Sequence, residues 1–158
     1  VASLPQVFDV LRLLYEREPI PFQTLNFKFG TQQRAHSDTI HFSSMPARFM
    51  CGVWVAFEET NAGNGPLFYY PRSHREEEFN YFDLGIVAKD NYGEYPDYED
   101  FMEEFMDSRD YPRQEIHMQK GDVLIWSSNL VHGGMPITGG NVTRWSQVTH
   151  YYFEGCMY

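Results

Sequence analysis

The chain has 158 residues, 42% of them hydrophobic and 17% aromatic, which suits one domain with a core of its own. Its net charge of −10 is concentrated in residues 76–115, where fourteen acidic residues face three basic ones; without clustered Lys and Arg, nucleic acid is not an expected partner. It shows no run of about 18 apolar residues and no signal-peptide pattern, so no membrane segment and a cytoplasmic location are expected, and Cys51 and Cys156 fit a reduced interior better than a disulfide framework.

Residues 5–18, PQVFDVLRLLYERE, place Val7, Val10, Leu11 and Leu14 at i, i+3, i+4 and i+7, the stripe of an amphipathic helix with Pro5 near its start. From Pro21 the period becomes two. In FQTLNFKF (22–29), Gln23, Leu25, Phe27 and Phe29 share one strand face and Thr24, Asn26 and Lys28 the other, so a polar Gln23 sits on an otherwise apolar face. QQRAHSDTIHF (32–42) reads as a strand, which would turn His36 and Asp38 to one side and Ser37 to the other. FMCGVWVAFEET (49–60), apolar on both sides, reads as a central strand; NAGNGP (61–66) is a turn and LFYYP (67–71) a short returning strand.

The acidic segment 76–115 is expected to hold a short helix around YEDFMEEFMDSRD. It is most simply a solvated excursion; its many Tyr and Phe residues, and its place between strands, make a substrate-facing lid the competing reading. GDVLIWSSNLVHGG (121–134) then gives a turn and a strand ending in glycines, and TRWSQVTHYYF (143–153) the last strand. One helix followed by short strands predicts a mainly β fold, a barrel or double-sheet jelly roll with helical trimmings.

His132 stands at the mouth of its strand, before Gly133 and Gly134, and with His36 and Asp38 makes a 2-His-1-carboxylate set. Such a set occupies one face of Fe(II) and leaves the opposite positions open. Arg144 lies in a strand of Trp, Val, Tyr and Phe, where its charge would be costly to bury without an anion. A carboxylate ligand gripped by Arg144 and touched by Ser146, two residues on, would supply one.

The motifs HSD (36–38), GVWVAFEETNAGNGPLFYYPRSHR (52–75), GDVLIWSSNLVHGG (121–134) and TRWS (143–146) resemble the phytanoyl-CoA dioxygenase-like branch of the Fe(II)/2-oxoglutarate oxygenases, from about Pro21 to Phe153. The resemblance implies a double-stranded β-helix, or jelly roll of cupin-like type, as one domain over 1–158 with an N-terminal helix and a helical acidic insertion. By the same resemblance His36, Asp38 and His132 would bind Fe(II), and Arg144 the distal carboxylate of 2-oxoglutarate, with Ser146 in an Arg-x-Ser arrangement. Trp54 would line the cosubstrate pocket, given room by Gly52 and Ala56, and Gln23 would be a further contact. The implied reaction consumes O₂ and 2-oxoglutarate, releases succinate and CO₂, and hydroxylates a C–H bond of a small molecule; a carboxylate at Asp38 favours hydroxylation over halogenation.

Two departures from the family pattern are visible. Gly134 stands where many members carry a Ser two residues after the distal His, and the helices usual upstream of the first strand are expected to be mostly missing. Taken alone, the His36–Asp38 pair reads more readily as a surface pair or helix cap, and Trp54 also reads as core. His41, His74, His117 and His150 read as structural, with His150 on the Arg144 face. A cupin-type metal enzyme without 2-oxoglutarate and a non-catalytic binding domain remain as alternatives, and neither the substrate nor the oligomeric state is legible.

Overall fold

The computed structural model describes residues 1–86 and 93–158. Residues 87–92 of the acidic segment lie outside the described residues. Helix α1 (Pro5–Tyr15) is followed by strands β1 (Pro19–Phe27), β2 (Met50–Ala56) and β3 (Leu67–Tyr69), helix α2 (Tyr95–Ser108), and strands β4 (Gln114–Ile116), β5 (Val123–Ser127), β6 (His132–Gly134) and β7 (Ser146–Phe153). The strands form two antiparallel sheets, ordered β1-β7-β2-β5 and β4-β3-β6, the expected jelly-roll architecture. No helix among the described residues is long and apolar enough to cross a membrane.

Alternation on β2 and β7 separates two cores. Cys51, Val53, Tyr151 and Phe153 point outward under Val7 and Leu11 of α1. Trp54, Ala56 and Val148 point inward, with Leu67, Met118 and Trp126, and fill the space between the sheets. A third cluster lies on the far side of the small sheet, where Tyr98, Met102 and Met106 of α2 cover Ala35, Phe68, Tyr70 and Val131. The helix in the acidic segment is therefore packed along one face, while Asp97, Asp100, Glu103 and Glu104 remain off it.

Several expectations are corrected. The buried stripe of α1 is Val7 and Leu11, flanked by Phe8 and Tyr15, while Val10 and Leu14 are 43% and 58% exposed; the helix is rotated so that its aromatic edge meets Phe49 and Phe153. The segment 121–134 is two strands, because the chain turns at 128–131 and crosses from the large sheet to the small one. Residues 32–42 are not a strand. Only His36 pairs, in an isolated bridge with His132, after which Asp38–Ile40 form a 3₁₀ turn. The turn wins because Ser37 caps it locally: its Oγ accepts the Thr39 N–H, and the Asp38 carbonyl then accepts the N–H groups of His41 and Phe42.

Candidate metal centre

The bridge is what brings the two histidines together. His36 N–H donates to the His132 carbonyl at 3.0 Å and His132 N–H to the His36 carbonyl at 2.9 Å, so their side chains leave a single antiparallel pair on one side, ring centroids 4.6 Å apart. Each Nδ1 lies on the carbonyl of the residue two before it, Arg34 at 2.8 Å and Leu130 at 2.9 Å. A carbonyl can only accept, so both Nδ1 atoms carry the proton and both Nε2 atoms present a lone pair.

The 3₁₀ turn delivers the third group. Asp38 Oδ1 is 3.9 Å from each Nε2, too far for a hydrogen bond, and the three ligand atoms lie within 4.8 Å of one another. Two neutral imidazole lone pairs and one carboxylate oxygen thus converge on a common point, with the chemistry of a divalent-metal donor set. The three residues are 4–8% exposed.

Trp126, which the sequence analysis does not single out, holds the other carboxylate oxygen: its indole N–H donates to Asp38 Oδ2 at 2.7 Å. Trp126 pairs with Gly52 across β5 and β2, and a Cβ on Gly52 would lie 2.5 Å from the indole Cε2. Gly52 therefore makes room for Trp126, not for Trp54 as expected. A glycine inside a central strand is a signal of close approach, so the position carried the information even though the partner was misassigned.

Burial opposes ionisation of Asp38, yet its pKa is displaced downward, through His132, His36 and His150 and the Trp126 hydrogen bond. Burial pushes the His36 imidazole down to about 4, reinforced by His132. Both directions favour the state a metal needs, a carboxylate facing neutral imidazole.

A cavity of about 280 Å³ runs from this cluster to Arg144. Arg144 is 1% exposed; its backbone N–H is tied to the Lys28 carbonyl and its Nη1 donates to the Gly65 carbonyl at 2.6 Å. Its Nε has no partner, no carboxylate among the described residues pairs with it, and its guanidinium lies over the Trp54 ring at 5.4 Å. Burial alone lowers its pKa to about 10, which leaves it charged at neutral pH. It sits just before β7, outside the strand that the sequence suggests for it.

Of the other expected contacts, Trp54 and Gln23 line the cavity; Ser146, fully buried with an unpartnered Oγ, does not. Thr31 does line it, and was missed. A Cβ on Gly134 would lie 3.1 Å from Thr31 Oγ1, so the volume of a side chain at 134 is taken by the Thr31 segment. His41 and His150, expected as structural, also line the cavity, and burial lowers the pKa of each. A lone histidine on an apolar face carries no signal that separates the two cases.

The phytanoyl-CoA dioxygenase (PhyH) family model matches residues 8–145. The chain belongs to the PhyH family. Members of this family work with Fe(II), 2-oxoglutarate and O₂, and the donor set of His36, Asp38 and His132 suits that metal. Among solved structures, the PhyH chain is similar to the α-ketoglutarate-dependent epimerase SnoN of nogalamycin biosynthesis, at 18% identity and TM-score 0.72 over 99% of this chain and 58% of that one. It is also similar to EctD from S. alaskensis with bound Fe, at 24% identity and TM-score 0.69 over 96% and 51%. AviO1 from Streptomyces viridochromogenes Tue57 follows at 15% identity and TM-score 0.64 over 99% and 61%. At these identities the likeness shows the fold, and the PhyH chain spans about half to three-fifths of the length of these three proteins. The comparison with curated proteins found no match.

Proposed function

We propose that this chain is an Fe(II)- and 2-oxoglutarate-dependent oxygenase that hydroxylates a C–H bond of a small molecule. The observation that carries the reading is the buried Arg144 guanidinium, paired with no carboxylate among the described residues, on the same cavity as the converging His36, Asp38 and His132. A metal enzyme of cupin type gives Arg144 no task, and a binding module gives the triad none.

In this reading His36 Nε2, His132 Nε2 and Asp38 Oδ1 hold the iron. Trp126 donates to Asp38 Oδ2, keeping that oxygen occupied and Oδ1 aimed at the metal. Arg144 binds the distal carboxylate of 2-oxoglutarate with a charge-assisted pair. Thr31, which lines the same cavity, is available as a further hydroxyl donor. Phe27, Trp54, Leu67 and Val148 keep this end of the cavity dry, which strengthens the ion pair. When bound, the iron and cosubstrate supply activation of O₂, with one oxygen atom converting 2-oxoglutarate to succinate and CO₂ and the other inserted into the substrate C–H bond.

The test is succinate release from 2-oxoglutarate under air with Fe(II). Turnover by the parent protein and its loss in Asp38→Ala, with the circular-dichroism spectrum retained, are expected. Unchanged turnover in that variant would remove Asp38 from the metal site. The solved neighbours include an epimerase and a carbocyclase, so the product's mass gives the second arm: hydroxylation adds one oxygen atom, and cyclisation does not.

A further inference from the structure

The metal end of the cavity opens through a wall that the proposed reaction leaves without a task. His150 on β7 is opposite Gln23 on β1, and Gln23 Oε1 lies 2.9 Å from His150 Nδ1. The amide oxygen only accepts, so Nδ1 carries the proton and Nε2 turns a bare lone pair toward the cavity. That lone pair faces Asp38 Oδ2 at 3.8 Å, an acceptor beside an acceptor, beyond hydrogen-bonding reach. A donor supplied from outside the protein is what this spot accommodates.

The surroundings define what carries that donor. Asp38 and Arg144 are the only Asp, Glu, Lys or Arg side chains among the residues described as lining the cavity, and the proposed metal and cosubstrate engage both. Beside His150 the cavity is lined by Phe42, whose ring centroid is 5.1 Å from the imidazole; Phe22 packs against both rings from outside the lining. Flat apolar rings bind such walls by offset stacking, whereas an ionic group would lie there unpaired. The cavity is at the small end for a ligand site and must also take 2-oxoglutarate. A substrate larger than the space left beside 2-oxoglutarate would extend over the adjoining hollow of Gln23, Ile40, His41 and Phe42.

We propose that His150, oriented by Gln23, accepts a hydrogen bond from a hydroxyl group of an uncharged, ring-bearing substrate stacked along Phe42. This assignment rests on the oxygenase reading of the same site. The substrate class is therefore a neutral hydroxylated ring compound, and the C–H bond presented to the metal lies close to that hydroxyl.

Saturation-transfer NMR on protein loaded with diamagnetic Zn(II) and 2-oxoglutarate tests this with four probes: 2-phenylethanol, its methyl ether, phenylacetate and 2-phenylethylamine. The alcohol is expected to bind roughly fivefold more tightly than the ether, the size of one neutral hydrogen bond, and at least as far above both ions. His150→Phe, which keeps a ring in place, is expected to erase the alcohol–ether gap. Gln23→Leu, which leaves His150 but frees its Nδ1, is expected to narrow it. A gap that survives both variants, an ionic probe that binds best, or four probes that fail to bind a protein still loaded with metal and 2-oxoglutarate would each overturn the assignment. A protein that fails to take up metal and 2-oxoglutarate at all overturns the oxygenase reading, and this assignment with it, so the two failures are distinct.

Discussion

Trp126→Phe removes one N–H and leaves most of an aromatic ring in place. In the parent protein that N–H is 2.7 Å from Asp38 Oδ2, both partners are buried, and the acceptor is ionised. Hydrogen bonds to charged groups contribute about 1.5–3 kcal/mol, so the variant should lose stability of that order and let the Asp38 carboxylate rotate. Groups that hold a ligand in place change metal affinity by about 10–100-fold when removed, which is the same free energy at about 1.4 kcal/mol per factor of ten. Calorimetric titration with Mn(II) or Co(II) measures the second quantity and urea unfolding of the metal-free protein the first. Gly52→Ala offers an independent route to the same state, because its Cβ would lie 2.5 Å from the indole and force Trp126 off Asp38. If Trp126→Phe binds metal within twofold of the parent while its urea midpoint falls, Trp126 is a core residue and the carboxylate is oriented by something else.

Three further outcomes are expected. Arg144→Leu should abolish 2-oxoglutarate binding by calorimetry, retain metal binding, and leave the urea midpoint unchanged or higher, because it removes a buried charge that no carboxylate among the described residues compensates. Stability of the metal-free protein should fall by about 2 kcal/mol between pH 7 and pH 5, and less in His36→Gln, as read by urea unfolding at each pH. The sign follows from burial: the folded state holds the His36 imidazole neutral down to about 4, while the unfolded chain takes up its proton near 6.5, so acid favours unfolding across that interval. Gly134→Ser should weaken 2-oxoglutarate binding several-fold by calorimetry even though it adds a hydroxyl, because its Cβ would lie 3.0 Å from the Gln32 amide nitrogen and 3.1 Å from Thr31 Oγ1 and would displace that segment.

The residue types of the site were legible because their chemistry is costly anywhere else. Two histidines and an aspartate can share a buried spot only if something compensates the carboxylate, and an arginine among Trp, Val, Tyr and Phe asks for an anion. Period-two alternation likewise separated the inward Gln23, Leu25 and Phe27 from their outward neighbours, and all three line the cavity. What failed was local geometry set by contacts distant in sequence. The stretch 32–42 has the composition of a strand, but a pairing partner exists only for His36, so Ser37 closes a 3₁₀ turn with its own hydroxyl. The convergence of His36 and Asp38 therefore comes from the turn that swings the carboxylate back toward the His36–His132 bridge, and not from a pleat.

The acidic segment shows why charge pattern alone misjudges position. Its residues split by helical period: Tyr98, Met102 and Met106 enter the core beside the small sheet, while Asp100 and Glu103 stay outside and pair with Arg34, Arg34 Nη2 lying 2.6 Å from each. Tyr98, fully buried, accepts the backbone N–H of Ser37 at 3.2 Å, and Tyr95 OH meets Gln33 at 3.4 Å. Ser37 stands between His36 and Asp38, so α2 is fastened to the very turn that presents the carboxylate. Within α2, Asp97, Asp100, Glu103, Glu104 and Asp107 thus stay off the packed side, whose inner residues are apolar and phenolic. That arrangement keeps ionic groups out of the cavity lining and lets a strongly acidic segment brace a site whose own charges are one aspartate and one arginine.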